Sequence, residues 1–181
     1  MAFNVNEFRS QMVGDGARPN LFEVSLPFPA FALPGTAQTK MSFMCKTAQL
    51  PGSTVNVVPV QYFGRELKFA GNRTFQDWSI TIINDEDFVI RNAFERWLNG
   101  LNSHNLNVRT PVASTPLGYT VDAEVRQYGK KGDTLKKYKF VGVFPTDLSP
   151  IDVDWGSNDT IEEFTATLSY QWWESADDLV V

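Results

Sequence analysis

The chain has 181 residues, 43% hydrophobic, 13% aromatic and 20% charged, with a net charge of −5 and one cysteine. That length suits a single domain, 1–181, able to bury roughly two-thirds of its unfolded surface, and the balance excludes a chain that stays disordered. Cys45 alone cannot form an intrachain disulfide, residues 1–20 carry no signal-like apolar run, and no stretch approaches the roughly 18 apolar residues of a membrane span, so a cytoplasm-like compartment and no membrane anchor are expected. An acidic chain also lacks the clustered cations that tight binding to a phosphate backbone requires.

Taken in chain order, residues 1–17 read as an arm, and "LFEVSL" at 21–26 alternates as a strand with one covered face. "PFPAFALPGTAQTK" at 27–40 is rich in turn formers and reads as a surface loop. "MSFMCK" at 41–46 alternates again and reads as a strand. "LPGSTVNVVPVQYFGREL" at 50–67 reads as a connection, yet one so apolar that it demands a partner. "WSITII" at 78–83 is a further strand.

The rhythm changes in 84–104, where Ile90, Ala93, Phe94, Trp97, Leu98 and Leu101 fall at helical spacing and form one apolar stripe. Asn84 or Asp85 is placed to cap this helix, and Asp85, Glu86 and Asp87 suit the positive end of its dipole. Residues 104–118 read as loop. "YTVDAEVRQY" at 119–128 and "KKYKFVGVF" at 136–144 alternate, and the polar, Gly-bearing link between them predicts a hairpin. In the last strand, Phe164, Ala166, Leu168, Tyr170 and Trp172 face one way and Thr165, Thr167, Ser169 and Gln171 the other. Residues 175–181 read as a tail, mobile like the arm until a neighbour covers it.

Catalytic and metal chemistry find little support. His104 has no second His or Cys at ligand spacing and reads as a last-turn cation or loop residue. Cys45, inside an alternating segment, reads as a small apolar filler and not as a nucleophile. The acids of "IDVDWGSND" lack the spacing and terminal Glu of a calcium loop and read as a turn. No metal, cofactor or catalytic residue is assigned. Of the five tryptophans, Trp78, Trp97 and Trp172 fall on apolar faces, and Trp173 points opposite to Trp172, so one of that pair must meet another surface, most economically a second subunit. A sugar-binding β-sandwich would use the same aromatics and is the rival from a different class.

Five strings, "ARPNLFEVSL", "FMCKTAQLPG", "AGNRTFQDWSITIINDED", "EVRQYGKKGDTL" and "GVFPTDLSPIDVDWGSNDTIEEFTATLSYQWWE", together resemble the tail tube proteins of contractile-tailed, T4-like bacteriophages. The resemblance implies a mainly β fold: a small antiparallel sandwich or barrel with one flanking amphipathic helix, like the tubes of phage tails and type VI secretion. It implies a non-enzymatic virion protein, six copies of which join in a ring so that their inner sheets merge into one continuous β-barrel, with hexameric rings stacked into a hollow conduit for DNA ejection. Its implied partners are other copies of itself, a sheath protein, a baseplate or tube initiator, a tape measure protein and double-stranded DNA that passes without tight binding. Assembly would take place in the host cytoplasm. A baseplate-proximal initiator, or the tube protein of a secretion or injection particle, is a rival on the same fold. Two features depart from the family's pattern: the length of 27–40, and Asn72 in "AGNRTF" where an Asp is usual.

Strands about 4.8 Å apart, tilted by about 40°, close into a barrel near 50 Å across when six copies give roughly four strands each, leaving a bore of about 40 Å. Duplex DNA presents a negative charge every ~1.7 Å, so a basic wall would bind it repeatedly and stall it. The expectation is that Thr165, Thr167, Ser169 and Gln171 look into such a bore, a plain solvated face being the alternative. Thr120, Asp122, Glu124 and Arg126 could belong to bore or rim. Leu50, Pro51, Val57, Val60, Tyr62 and Phe63 are expected to bury apolar area between rings, with Arg65 pairing to an acid on the next ring. Folding of this connection back onto its own helix is the alternative.

Overall fold

The computed structural model describes residues 4–13 and 16–175. Its elements in chain order are α1 (Val5–Gln11), β1 (Phe22–Ser25), a 3-10 turn (Ala30–Ala32), α2 (Ala37–Met44), β2 (Cys45–Ala48), β3 (Thr54–Tyr62) and β4 (Arg65–Thr74). There follow β5 (Trp78–Ile83), α3 (Val89–Leu101), a second 3-10 turn (Pro111–Ser114), α4 (Pro116–Tyr119), β6 (Val121–Tyr128), β7 (Thr134–Leu148), β8 (Glu163–Ser169) and β9 (Trp172–Ser175).

All strand pairs are antiparallel, and the path runs β1-β6-β7-β8-β5-β2, with β9 also on β7. The fifteen-residue β7 belongs to two sheets: its first half lies between β6 and β9, its second half pairs with β8. The corner is at Gly142, whose φ of 69° is a left-handed conformation that side chains resist. The alternation flips there, since Phe140, Val143 and Pro145 all point inward. Opposite the corner the chain breaks between β8 and β9, and Gln171 N–H donates to the Val141 carbonyl (3.0 Å). β1 and β2, the far strands of the path, approach each other, so the sandwich nearly closes into a barrel.

One cluster forms the core. Trp78 stacks on Phe140 with ring centroids 4.3 Å apart, and Phe94 of α3 meets Phe28 (5.0 Å) and Phe164 (6.4 Å). The buried indoles keep their polar edges satisfied: Trp78 Nε1 donates to the Gln49 carbonyl and Trp97 Nε1 to that of Tyr119. Helix α3 buries Ile90, Ala93, Phe94 and Trp97, packs Leu101 against the cluster and leaves Leu98 partly open. Since Phe94 is fully buried, Phe94→Ala is expected to cost about 3–5 kcal/mol. At roughly 2–4 °C per kcal/mol for a chain of this size, thermal unfolding of the free subunit should shift down by about 10 °C.

Several local expectations are corrected. Residues 41–44 are helical, because Ala37 and Met41, one turn apart, bury together beside α3; the strand starts only at Cys45. Residues 27–40 are therefore not a free surface loop: Phe28, Ala32 and Ala37 are core, and the Ala30–Ala32 turn and α2 pack beside α3. The helix begins at Val89, where the N–H donates to Asp87 Oδ1 (3.1 Å), while Asn84 bonds Glu162 at the end of the neighbouring strand. Lys40 bridges Asp85 and Asp87, and the hydrogen bonds it donates to both carboxylates raise its pKa. Residues 50–67 are not a loop but most of the β3–β4 hairpin. Trp172 is not core: the flip at the corner exposes it and turns Trp173 inward, beside Tyr138 at 5.7 Å. Parts of the arm and tail, residues 1–3, 14–15 and 176–181, lie outside the described residues; within the arm, α1 buries no side chain.

Candidate functional site: assembly and lining surfaces

The outer faces of the two sheets differ in chemistry. On the sheet formed by β1, β6, the first half of β7 and β9, the outward side chains are charged and paired. Lys139 meets Asp122 and Lys137 meets Glu124, both at 2.8 Å, and Arg126 meets Glu124 at 2.9 Å. Burial opposes ionisation of these two acids. Hydrogen bonds from Lys139 and Gly142 N–H to Asp122, and from Lys137 and Arg126 to Glu124, nevertheless hold both carboxyls below their ordinary pKa. Tyr128 donates to Glu23, and that bond raises the phenol's pKa. In such a ladder of alternating sign each of these charges has an opposite neighbour across or along the strands.

The sheet formed by β2, β5, β8 and the second half of β7 carries hydroxyls instead. Phe164, Ala166 and Leu168 of β8 and Trp78, Ile80 and Ile82 of β5 take the core side. The register then sets the opposite side in cross-strand rows, Thr47, Thr81 and Thr165 in one, Ser79, Thr167 and Asp147 in the next. Thr81 and Thr165 hydroxyl oxygens lie 3.4 Å apart, Thr146 donates to the Thr167 carbonyl, and Ser149 Oγ accepts from Thr165 N–H. The cation Lys46 is paired with Glu163. Thr165, Thr167 and Ser169 thus share one face, whereas Gln171 sits apart at the corner, its Cγ within 2.9 Å of where a side chain on Gly142 would begin. Among the described residues this sheet has open margins: β2 has no strand on its far side, and β6 ends short of residues 145–148 of β7.

The hairpin β3–β4 projects from this body. A two-residue turn at Phe63-Gly64, both with positive φ, joins Tyr62 to Arg65, the geometry that suits strand twist. Its strands pair only with each other, and every residue but Gly71 is exposed. Register puts Val58, Val60, Tyr62, Leu67 and Phe69 on one face, with Val57 on the other beside Ala70. Phe63 at the tip is 92% exposed. At the base, Leu50 is exposed and Pro51 half-buried, and Trp173 Nε1 donates to the Gly52 carbonyl. The turn signal "YFGR" and the flanking valines could have revealed this hairpin. A two-stranded ribbon is marginal alone in water, so its apolar face calls for cover.

Chemical sites are sparse. Cys45 packs against the core, and burial pushes its thiol up to about 12, which leaves it unreactive at neutral pH. His104 lies in an exposed turn beyond α3. Among the described residues no three His, Cys, Asp or Glu side chains cluster as metal donors, and no helix is long and apolar enough to cross a membrane.

The described residues form a mainly β sandwich with open sheet margins and an exposed apolar ribbon. The family described as "Phage tail tube protein" matches residues 17–176, and the chain belongs to it. It is 33% identical over 162 residues to "Tail tube protein gp19" of Enterobacteria phage T4, covering 89% of this chain and 93% of that protein. The "Tail tube protein" of Serratia phage KSP90 is 27% identical over 168 residues, 92% of this chain and 93% of that one. Among solved structures, a chain of the anti-feeding prophage tube-terminating cap superposes with a TM-score of 0.63 at 16% identity, covering 97% of this chain and 98% of its own. A chain of the sheath–tube complex of an extracellular contractile injection system, in its extended state, gives 0.53 at 18% identity, with 96% and 98% covered. These likenesses confirm the tube-type fold, and the family establishes a structural subunit of a contractile phage tail tube.

Proposed function

We propose that six copies join edge to edge through the β2-β5-β8-β7 sheet, closing a barrel of about 24 strands whose inner wall is the hydroxyl face. Rings then stack through the β3–β4 ribbon to form a conduit for duplex DNA. The observation that carries this reading is the pairing of a hydroxyl-rich face, Thr47, Ser79, Thr81, Thr165 and Thr167, with open margins on the same four-stranded sheet. Unpaired strand edges seek partners, and identical copies supply them. With Lys46 neutralised by Glu163 and Asp147 adding an acid, the wall offers phosphates no foothold.

In this reading the protein acts without catalysis. A sheath packs outside, a baseplate or tube initiator starts the first ring, a tape measure protein fills the bore during assembly in the host cytoplasm, and DNA follows it. Helical reconstruction of tubes grown from the purified subunit is the test. It should show Thr165 and Thr167 on the bore; tubes lined by Asp122, Glu124 and Lys137, or monomers at every salt concentration, would overturn the assignment.

A further inference from the structure

The two ends of β7 differ in charge and in shape. At its start, the 129–133 turn and the segment leading into β1 enclose a hollow of ≈640 Å³, within the roughly 300–1,000 Å³ range of binding pockets. Arg9, Arg18 and Lys131 stand on its rim and Leu21, Leu135 and Met12 line it; Asp133 is the one acid among the described lining residues. The segment is tied down, since Tyr128 N–H donates to the Leu21 carbonyl at 2.9 Å and Gln127 Nε2 to that of Arg18 at 3.4 Å.

At the other end of β7, residues 149–163 contain five acids and neither Lys nor Arg. Glu162 and Glu163 are engaged by Asn84 and Lys46, which leaves Asp152, Asp154 and Asp159 facing outward. Within "DVDW", acids alternate with two bare apolar groups, Val153 (83% exposed) and Trp155 (102%). The segment is preformed: Asp154 Oδ1 accepts from Gly156 N–H (3.0 Å), and Ser157 N–H donates to the Asp154 carbonyl (3.1 Å). A fully exposed indole held on an ordered turn is a poised contact.

We propose that the 152–155 hook of one copy seats in the basic hollow of the next, Trp155 and Val153 entering the apolar floor while Asp152 and Asp154 meet Arg18 and Lys131. Within the chain the hook lies beyond the end of β7 and the hollow at its start, and no residue of 149–163 lines the hollow. The association is head to tail, the kind that propagates. It uses neither the hydroxyl face nor the β3–β4 ribbon, so it stands or falls separately from them.

Charge reversal in the full chain tests it. Arg18→Glu with Lys131→Glu, or Asp152→Lys with Asp154→Lys, should each leave the circular dichroism of the subunit unchanged and abolish sedimentable tubes. Mixing the two variants, or combining all four changes in one chain, should restore tubes, because opposite charges then meet again. The proposal is overturned if either variant alone assembles like the parent, or if both fail and neither mixture nor combination recovers assembly. Carbodiimide crosslinking of the concentrated parent protein reads the contact without requiring tubes. Intermolecular links from Lys131 to Asp152 or Asp154 are expected, and links from Lys131 to other acids alone would overturn it.

Discussion

Replacing Thr165, Thr167 and Ser169 together by lysine is expected to leave tubes that assemble but pass DNA poorly. The three positions lie on the outward face of a β-strand, half-buried between short neighbours, and a lysine stem can lie along that surface while its ammonium reaches past it. Stability should therefore change by no more than about 1 kcal/mol. Function should change far more. Three cations on each of six copies place about 18 positive charges around every ring, and each phosphate they engage steepens the dependence of binding on salt by close to one log unit per log unit. Ejection from virions carrying the variant should slow by orders of magnitude at low salt and recover as salt is raised. Asparagine at the same positions is the matching control, since it adds bulk and hydrogen bonding without charge. Ejection that stays normal with lysine would remove these residues from the bore.

Changing Val60, Leu67 and Phe69 to serine should do the reverse, leaving the subunit folded and abolishing the tube. All three lie on the apolar face of the ribbon, 45%, 45% and 55% exposed in the single chain, so the core does not depend on them. If a neighbouring ring covers them, each is worth about 1.5–3 kcal/mol of burial. Losing the set weakens every contact by roughly a thousandfold or more, and a tube repeats that loss at each subunit. The expected pair of results is an unchanged melting curve for the free subunit and no particles by negative-stain microscopy. Wild-type tubes from this variant would exclude the ribbon from ring stacking. Tyr62→Ala with Phe63→Ala, nearer the tip, asks whether the turn itself takes part.

The parts of the fold legible in the sequence are those where a two-residue period runs long enough against a single covered face. β5, β6, β8 and the 129–133 hairpin are of this kind, and Ile90, Phe94 and Trp97 state the helix equally clearly. What the pattern hid has physical causes. "MSFMCK" alternates over six residues, too few to separate a strand from a helix whose buried pair is Ala37 and Met41. The ribbon escaped notice because Pro59 interrupts it and its apolar face, Val58, Val60, Leu67 and Phe69, is left exposed, so the covered face that marks an ordinary strand is missing. Trp172 and Trp173 exchanged roles because alternation assumes a straight strand, and the left-handed Gly142 on the opposing strand marks a corner no periodicity announces. The hydroxyl face was readable on β8 alone. Its continuation through Ser79, Thr81 and Thr47 needed the register.

Because β7 belongs to both sheets, the charged layer and the hydroxyl layer cannot melt independently: detaching either one tears ladder bonds from the same backbone. The subunit should consequently yield as one cooperative unit. A load borne by either sheet is therefore passed along one continuous peptide to the other, so neither layer can be stripped away without breaking the ladder of that shared strand.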